Sequence, residues 1–127
     1  MKKYTIAFAI ACSGFVTACQ SQPPSYLHML SPAELNQVLQ KQDVILVDVH
    51  TPQGQPIQGT DLFIPYDNIQ SQLDKLPSDK ATPIYLYCES GRMANTAAQT
   101  LHDMGYQNLF NLEGGRKAWR QAGFPMQ

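Results

Sequence analysis

From Ser31 onward the chain alternates short continuous apolar runs with longer stretches in which apolar residues recur every three or four positions. Val44 to Val47, Leu62 to Ile64, Pro83 to Tyr87 and Asn108 to Leu112 are runs of the first kind, which predicts strands covered on both faces. Between them, Ser31-Pro32-Ala33-Glu34 places a capping serine, a proline at the first helical position and a glutamate three residues after the cap. That pattern predicts a helix to about Lys41, with Leu35, Val38 and Leu39 as its buried stripe. Asp67 is expected to cap a short helix carrying Ile69 and Leu73, and Met93 to Met104 has helical spacing closed by Gly105. Gly114-Gly115 opens a last helix with Ala118 and Trp119 inward, stopped by Gly123 and Pro125. Thr51 to Gly59, with its prolines and glycines, reads as a loop. The alternation predicts an α/β domain with a central, mainly parallel β-sheet flanked by helices on both faces.

The first residues do not fit this pattern. Met1-Lys2-Lys3 is a basic head, and Tyr4 to Val16 is an apolar body too short to remain as a membrane-spanning helix, which together read as an export signal. Val16-Thr17-Ala18-Cys19 resembles the lipobox of bacterial lipoproteins, in which the peptide is cut before the cysteine and the cysteine is acylated. The alternative is an ordinary signal cut after Ala18. Gln20, where an aspartate would favour the inner membrane, resembles an outer-membrane address. The expected organisation is a signal over 1–18, a lipid attachment site at Cys19 with a polar tether over 19–30, and a single domain over 31–127 facing the periplasm.

Charge and cysteine content narrow the chemistry. Without Lys2 and Lys3, the nine basic residues become seven against ten acidic ones, a net of -3. No basic stripe follows, so nucleic acid is an unsuitable partner and any small anion must be held locally. Cys12 would leave with the signal and Cys19 would be blocked by lipid, which leaves Cys88 as a lone thiol in an exported domain.

Cys88 stands where a buried strand ends, followed at once by Glu89-Ser90-Gly91-Arg92-Met93 and a helix. Open α/β sheets place ligands at such carboxyl ends. Successive backbone N–H groups of the loop, with the helix N-terminus behind them, form a cradle for an anion, and Gly91 is free to take the positive φ that closes it. The same field favours a thiolate; Arg92 assists and Glu89 opposes unless it points outward. The alternative is that Cys88 is a small buried hydrophobe, against which stand its polar neighbours.

Tyr87-Cys88-Glu89-Ser90-Gly91-Arg92 resembles the active-site loop of single-domain rhodaneses. Val47-Asp48-Val49, Gly59 to Pro65 and Asn111 to Trp119 are similar to the family's other motifs, in the same order, from about Ser31 to Pro125. The chain departs from the pattern at His50, where many members carry arginine, in a shortened following loop, around Pro56, and at Met93. An arginine required by the phosphatase and arsenate-reductase relatives of the fold would fall at Ala94, so a phosphate would lack its bidentate partner.

The resemblance implies a rhodanese-like fold and a thiosulfate sulfurtransferase-like enzyme. Sulfane sulfur would pass from thiosulfate or a related anionic donor, through a persulfide on Cys88, to cyanide or a thiol. The loop from Glu89 to Met93 would bind substrate, and no cofactor is required. A membrane-tethered persulfide carrier or thiol sensor without turnover is the alternative. Asp48 reads as a structural acceptor beside the site. The resemblance brings the Gly114-Gly115 turn close to the loop, so Arg116 reads either as a rim residue that draws in a sulfonate or as a solvated arginine at a helix start, and Trp119 reads as core packing, with a place at the rim of the site as the alternative. His28, His50 and His102 lack metal-ligand spacing, and His50 reads as a surface histidine.

Overall fold

The computed structural model describes Gly14 and residues 22–127. The expected signal, Cys12, the lipobox and the attachment site at Cys19 lie outside the described residues. The elements run β1 (Leu27–Leu30), α1 (Pro32–Lys41), β2 (Ile45–Asp48), β3 (Leu62–Phe63), a 3-10 helix (Gln70–Lys75), β4 (Ile84–Tyr87), α2 (Arg92–Asp103), β5 (Leu109–Leu112) and α3 (Gly115–Gln121). The strands form one parallel sheet in the order β1-β5-β4-β2-β3.

Two cores follow from the two-residue period of the strands. Ile84 and Leu86 of β4, with Val47 of β2, pack against Ala94, Ala97, Ala98 and Leu101 of α2 and against Ile69 and Leu76. Tyr85 and Tyr87, with Leu46, face the other way onto Leu35 of α1 and Trp119 of α3. Every residue of β4 is buried, which explains its unbroken apolar run. Parity then decides where Cys88 points: it continues the Ile84-Leu86 face and joins the core beneath α2.

The helix starts obey local chemistry. Ser31 Oγ accepts from the Glu34 amide and a Glu34 carboxylate oxygen accepts from the Ser31 amide at 2.7 Å, a complete capping box. Val38 and Leu39 are half-buried beside the fully buried Leu35.

Two expectations are corrected. Residues 27–30, expected within the tether, form edge strand β1, paired in parallel with β5 from Leu27 opposite Leu109 to Leu30 opposite Leu112. Leu27 is 4% exposed, so this segment belongs to the domain through long-range pairing and burial. Asp67 does not cap a helix: the turn at Gln70–Lys75 is 3-10 and follows Ile69 without a side-chain cap. Ile69 is drawn into the core there, and the Ser71 hydroxyl donates to the Asn68 carbonyl at 3.2 Å to hold the turn. Ala118 is half-buried, whereas Trp119 is buried as expected.

The order of strands positions the site. The chain leaves β2 toward β3, then returns to the other side of β2 as β4, so the direction of strand addition reverses between β2 and β4. Crevices of open α/β sheets form at such reversals, at the carboxyl ends of the strands. Asp48 ends β2 and Cys88 follows β4 at this point, and the amide of Val49 donates to the Tyr87 carbonyl at 2.9 Å.

The burial of β1 gives a measurable consequence. Leu27→Ala is expected to lower unfolding free energy by about 2–5 kcal/mol, as for other large-to-small core changes. Urea denaturation of the variant measures this, and an unchanged midpoint would return residues 27–30 to the tether.

Candidate active site

Cys88 Sγ accepts hydrogen bonds from the amides of Gly91 at 3.0 Å and Ala94 at 3.4 Å. These donors come from the loop and from the first turn of α2, where helix N–H groups have no intrahelical partner. Gly91 takes φ +105°, the conformation expected of it, and this brings its amide round to the sulfur. The amides of Ser90, Arg92 and Met93 have no protein acceptor among the described residues. A curl of such amides attracts negative charge.

The curl is held from behind. The Arg116 amide donates to the Cys88 carbonyl at 2.8 Å and the Lys117 amide donates to the Glu89 carbonyl at 3.1 Å. Gly91 O accepts from Asn111 Nδ2 at 3.1 Å, and the same Nδ2 donates to Asn95 Oδ1 at 2.8 Å. With these loop carbonyls engaged by α3 and β5, its N–H groups remain for the sulfur side. Gly115 makes the approach possible: a Cβ there would stand 2.4 Å from the Cys88 carbonyl oxygen.

Charge is arranged around the same contact. Arg116, expected either at the rim or solvated at a helix start, is corrected to a buried residue, 2% exposed. Its guanidinium donates to Asp48 Oδ2 at 2.6 Å, lies 3.4 Å from Glu89 Oε2, and sits over the Tyr87 ring at 5.6 Å. Gly54 leaves room for it, since a Cβ at that position would lie 2.1 Å from Arg116 Nη1. Asp48 also accepts from the His50 amide at 3.0 Å, the structural role expected of it. Burial pushes the Asp48 carboxyl above its ordinary range, and the His50 amide and Arg116 pull it back.

Glu89, the residue expected to oppose a thiolate, is ion-paired to both Arg116 and Arg120. Its charge is thereby offset. Trp119 is buried on the opposite face of the sheet, with Nε1 donating to the Pro125 carbonyl at 2.9 Å, which is the core packing expected of it and not the alternative place at the rim.

In front of the sulfur lies an open cleft of about 420 Å³. Cys88, Glu89, Ser90, Arg92 and Met93 line it, so the expected loop residues converge on one space. Arg92 is exposed at its mouth. The cleft also draws in His50, Tyr66 and Thr96. His50 was expected on the surface and the other two were not singled out; all three arrive through the strand reversal and the face of α2. Asn111 was likewise missed as a loop support, although its polar side chain within an apolar strand run was a signal. Among the described residues no group of His, Cys, Asp and Glu is arranged to hold a metal ion.

Residues 31–122 match the family described as Rhodanese-like domain. The chain belongs to the rhodanese-like domain family. A sulfurtransferase of Allochromatium vinosum is 33% identical over 87 residues, covering 67% of this chain and 79% of that protein. An uncharacterized Synechocystis protein is 36% identical over 98 residues, 76% of this chain and 54% of that one, so this rhodanese-like chain spans about half the length of that relative. The solved polysulfide-sulfur transferase homodimer of Wolinella succinogenes has 28% identity and a TM-score of 0.64, with 80% of this chain and 78% of that chain covered. Membership of the rhodanese-like family and a relative named sulfurtransferase support sulfur transfer in general.

The buried pair in this rhodanese-like domain predicts a stability pattern. Arg116→Met leaves Asp48 buried without its cation and is expected to cost about 3–5 kcal/mol. Adding Asp48→Asn removes the stranded charge and is expected to recover part of that loss, a coupling that urea melts of both single variants and the double variant measure.

Proposed function

We propose that this chain is a sulfurtransferase in which Cys88 carries sulfane sulfur as a persulfide. The observation that carries the reading is Sγ at the focus of the Gly91 and Ala94 amides, with the unengaged amides of Ser90, Arg92 and Met93 in the same loop. A second sulfur bonded to Sγ extends the anion into the cleft that this loop lines. Preorganised N–H donors at a developing anion are a strong source of stabilisation, because no solvent must reorient during the reaction.

Thiosulfate fits as the donor class. The Cys88 thiolate attacks the outer sulfur, the S–S bond of thiosulfate breaks, and its electron pair leaves with sulfite. Exposed Arg92 at the cleft mouth supplies a cation for the incoming anion, and Glu89 is neutralised by Arg116 and Arg120. A thiol or cyanide then attacks the outer sulfur of the persulfide and restores the Cys88 thiolate. These steps require no cofactor. Ala94 places only an amide and a buried methyl at the cradle, which gives a phosphate no side-chain cation to bind in bidentate fashion.

In the same reading, the lipobox at Val16–Cys19 is processed and Cys19 acylated, tying the domain to the periplasmic side of a bacterial membrane, the outer membrane by the identity of Gln20. With β1 beginning at Leu27, the tether from Gln20 to Tyr26 reaches at most about 25 Å when fully extended. The domain would therefore work close to the lipid surface. Mass spectrometry of the protein purified from membranes is expected to show an N-terminus at Cys19 carrying acyl chains; a mature N-terminus with an unmodified Cys19 would refute the lipid anchor.

Incubation of the purified protein with thiosulfate, followed by mass spectrometry, is expected to show one added sulfur atom on the peptide containing Cys88. Cyanide should then release thiocyanate with turnover. Cys88→Ser is expected to abolish both signals. Sulfur uptake that survives this change, or hydrolysis of an aryl phosphate without sulfur loading, would overturn the proposal.

A further inference from the structure

We propose that His50 is the general base that removes the proton from an acceptor thiol, making this site a transferase directed to thiols. The inference rests on the reading of Cys88 as a sulfur carrier. His50 leaves β2 beside the strand reversal and lines the cleft together with Cys88. Its main chain is pinned by the 3.0 Å bond from its amide to Asp48 Oδ1, and its ring by a 2.7 Å bond between Nδ1 and the Pro52 carbonyl.

The second bond assigns the tautomer. A carbonyl oxygen only accepts, so Nδ1 carries the proton, and in the neutral ring Nε2 is left with its lone pair. His50 lines the cleft and its Nδ1 is taken by Pro52, so in this proposal Nε2 is the nitrogen that meets the acceptor. The backbone and Nδ1 are thus both held, and Nε2 is the ring nitrogen left to accept. The charged and titratable groups around it are Asp48 on its own strand, Tyr66 beyond β3, Cys88, Glu89 and Arg92 from the loop, and Arg116 and Arg120 from α3 behind Glu89.

A thiol needs such a base. At about pH 7.5 roughly a tenth of a thiol with an ordinary pKa of about 8.5 is ionised, so a positioned base is worth up to about tenfold at that pH and little once the thiol ionises unaided. In the step, Nε2 takes the proton from the incoming thiol and the resulting sulfur anion attacks the outer sulfur of the Cys88 persulfide. The bond between that sulfur and Sγ breaks with its electron pair left on Sγ. The product is a persulfide of the acceptor, to which the proton on His50 returns. There is room for an acceptor larger than a small ion: Tyr66 and Thr96 also line an adjoining hollow of about 450 Å³ that continues along α2.

The test compares two acceptors on the same preloaded protein. Glutathione brings a proton to the site, whereas sulfite attacks through a sulfur lone pair and brings none when fully ionised. His50→Asn keeps an amide N–H where Nδ1 meets the Pro52 carbonyl but supplies no basic nitrogen; His50→Gln removes the base while retaining a longer polar side chain. Single-turnover transfer from persulfide-loaded wild type and both variants gives the ratio of glutathione rate to sulfite rate, in which changes in loading cancel. At about pH 7.5 the ratio is expected to fall roughly five- to tenfold in both variants, and at about pH 9.5 to return to within about twofold of wild type.

An unchanged ratio at the lower pH overturns the assignment of His50. An equal fall at both pH values also overturns it, since that would mark a change of cleft shape and not of proton transfer. Absence of a persulfide on wild-type Cys88 overturns the sulfur-carrier reading and this inference with it, and is seen before any acceptor is added.

Discussion

The seating of the first turn of α3 on the carbonyls of Cys88 and Glu89 is the contact on which the rest of the site depends. A backbone loop presents amides to one side only if its carbonyls find donors on the other, and the amides of Arg116 and Lys117 are those donors. The approach is close enough that only glycine fits at 115. The Arg116 side chain then turns back beneath the loop to Asp48 and Glu89, so one residue ties α3, the end of β2 and the loop after β4 together. Asn111 adds a bond from β5 to the Gly91 carbonyl.

This arrangement reconciles two demands on Cys88 that conflict in most surroundings. The residue is buried, 1% exposed, and continues an apolar strand face into the core, which by itself would disfavour an anion. The amides of Gly91 and Ala94 supply the missing polarity at the sulfur alone. An ion pair for Glu89 on each of two arginines keeps the nearest carboxylate from cancelling that field. The open side of the cleft, meanwhile, is bounded by exposed Arg92 and by His50, to which the proposed transfer assigns the donor and the acceptor respectively.

How much of this was legible from residues alone depends on the range of the interaction. β2, β4 and β5 announced themselves because sheets covered on both faces demand continuous apolar runs, and α1 because Ser31 and Glu34 satisfy each other's amides within one turn. The loop after Cys88 was legible as an anion cradle because polar residues and Gly91 follow a buried strand at once. β1 was not, since four residues beside Pro23-Pro24 become a strand only through their register with β5, far along the chain. Arg116 was misplaced for the same reason. Nothing near it in sequence tells that Gly54 vacates the space it occupies or that Asp48 waits there, so an arginine at a helix start read as solvated. His50 reached the cleft through strand order, which spacing along the chain does not encode. The resemblance to rhodaneses carried family and fold correctly, yet it did not tell which arginine lines the cleft and which supports the loop.

The central claim is that the amides of the loop after Cys88 hold the sulfur anion. Amide proton and nitrogen chemical shifts, recorded before and after loading with thiosulfate, test it most directly. The account predicts large downfield amide proton shifts confined to the segment from Ser90 to Ala94, absent in a chain lacking the Cys88 thiol. Loading that leaves those amides unmoved while residues elsewhere respond would contradict it.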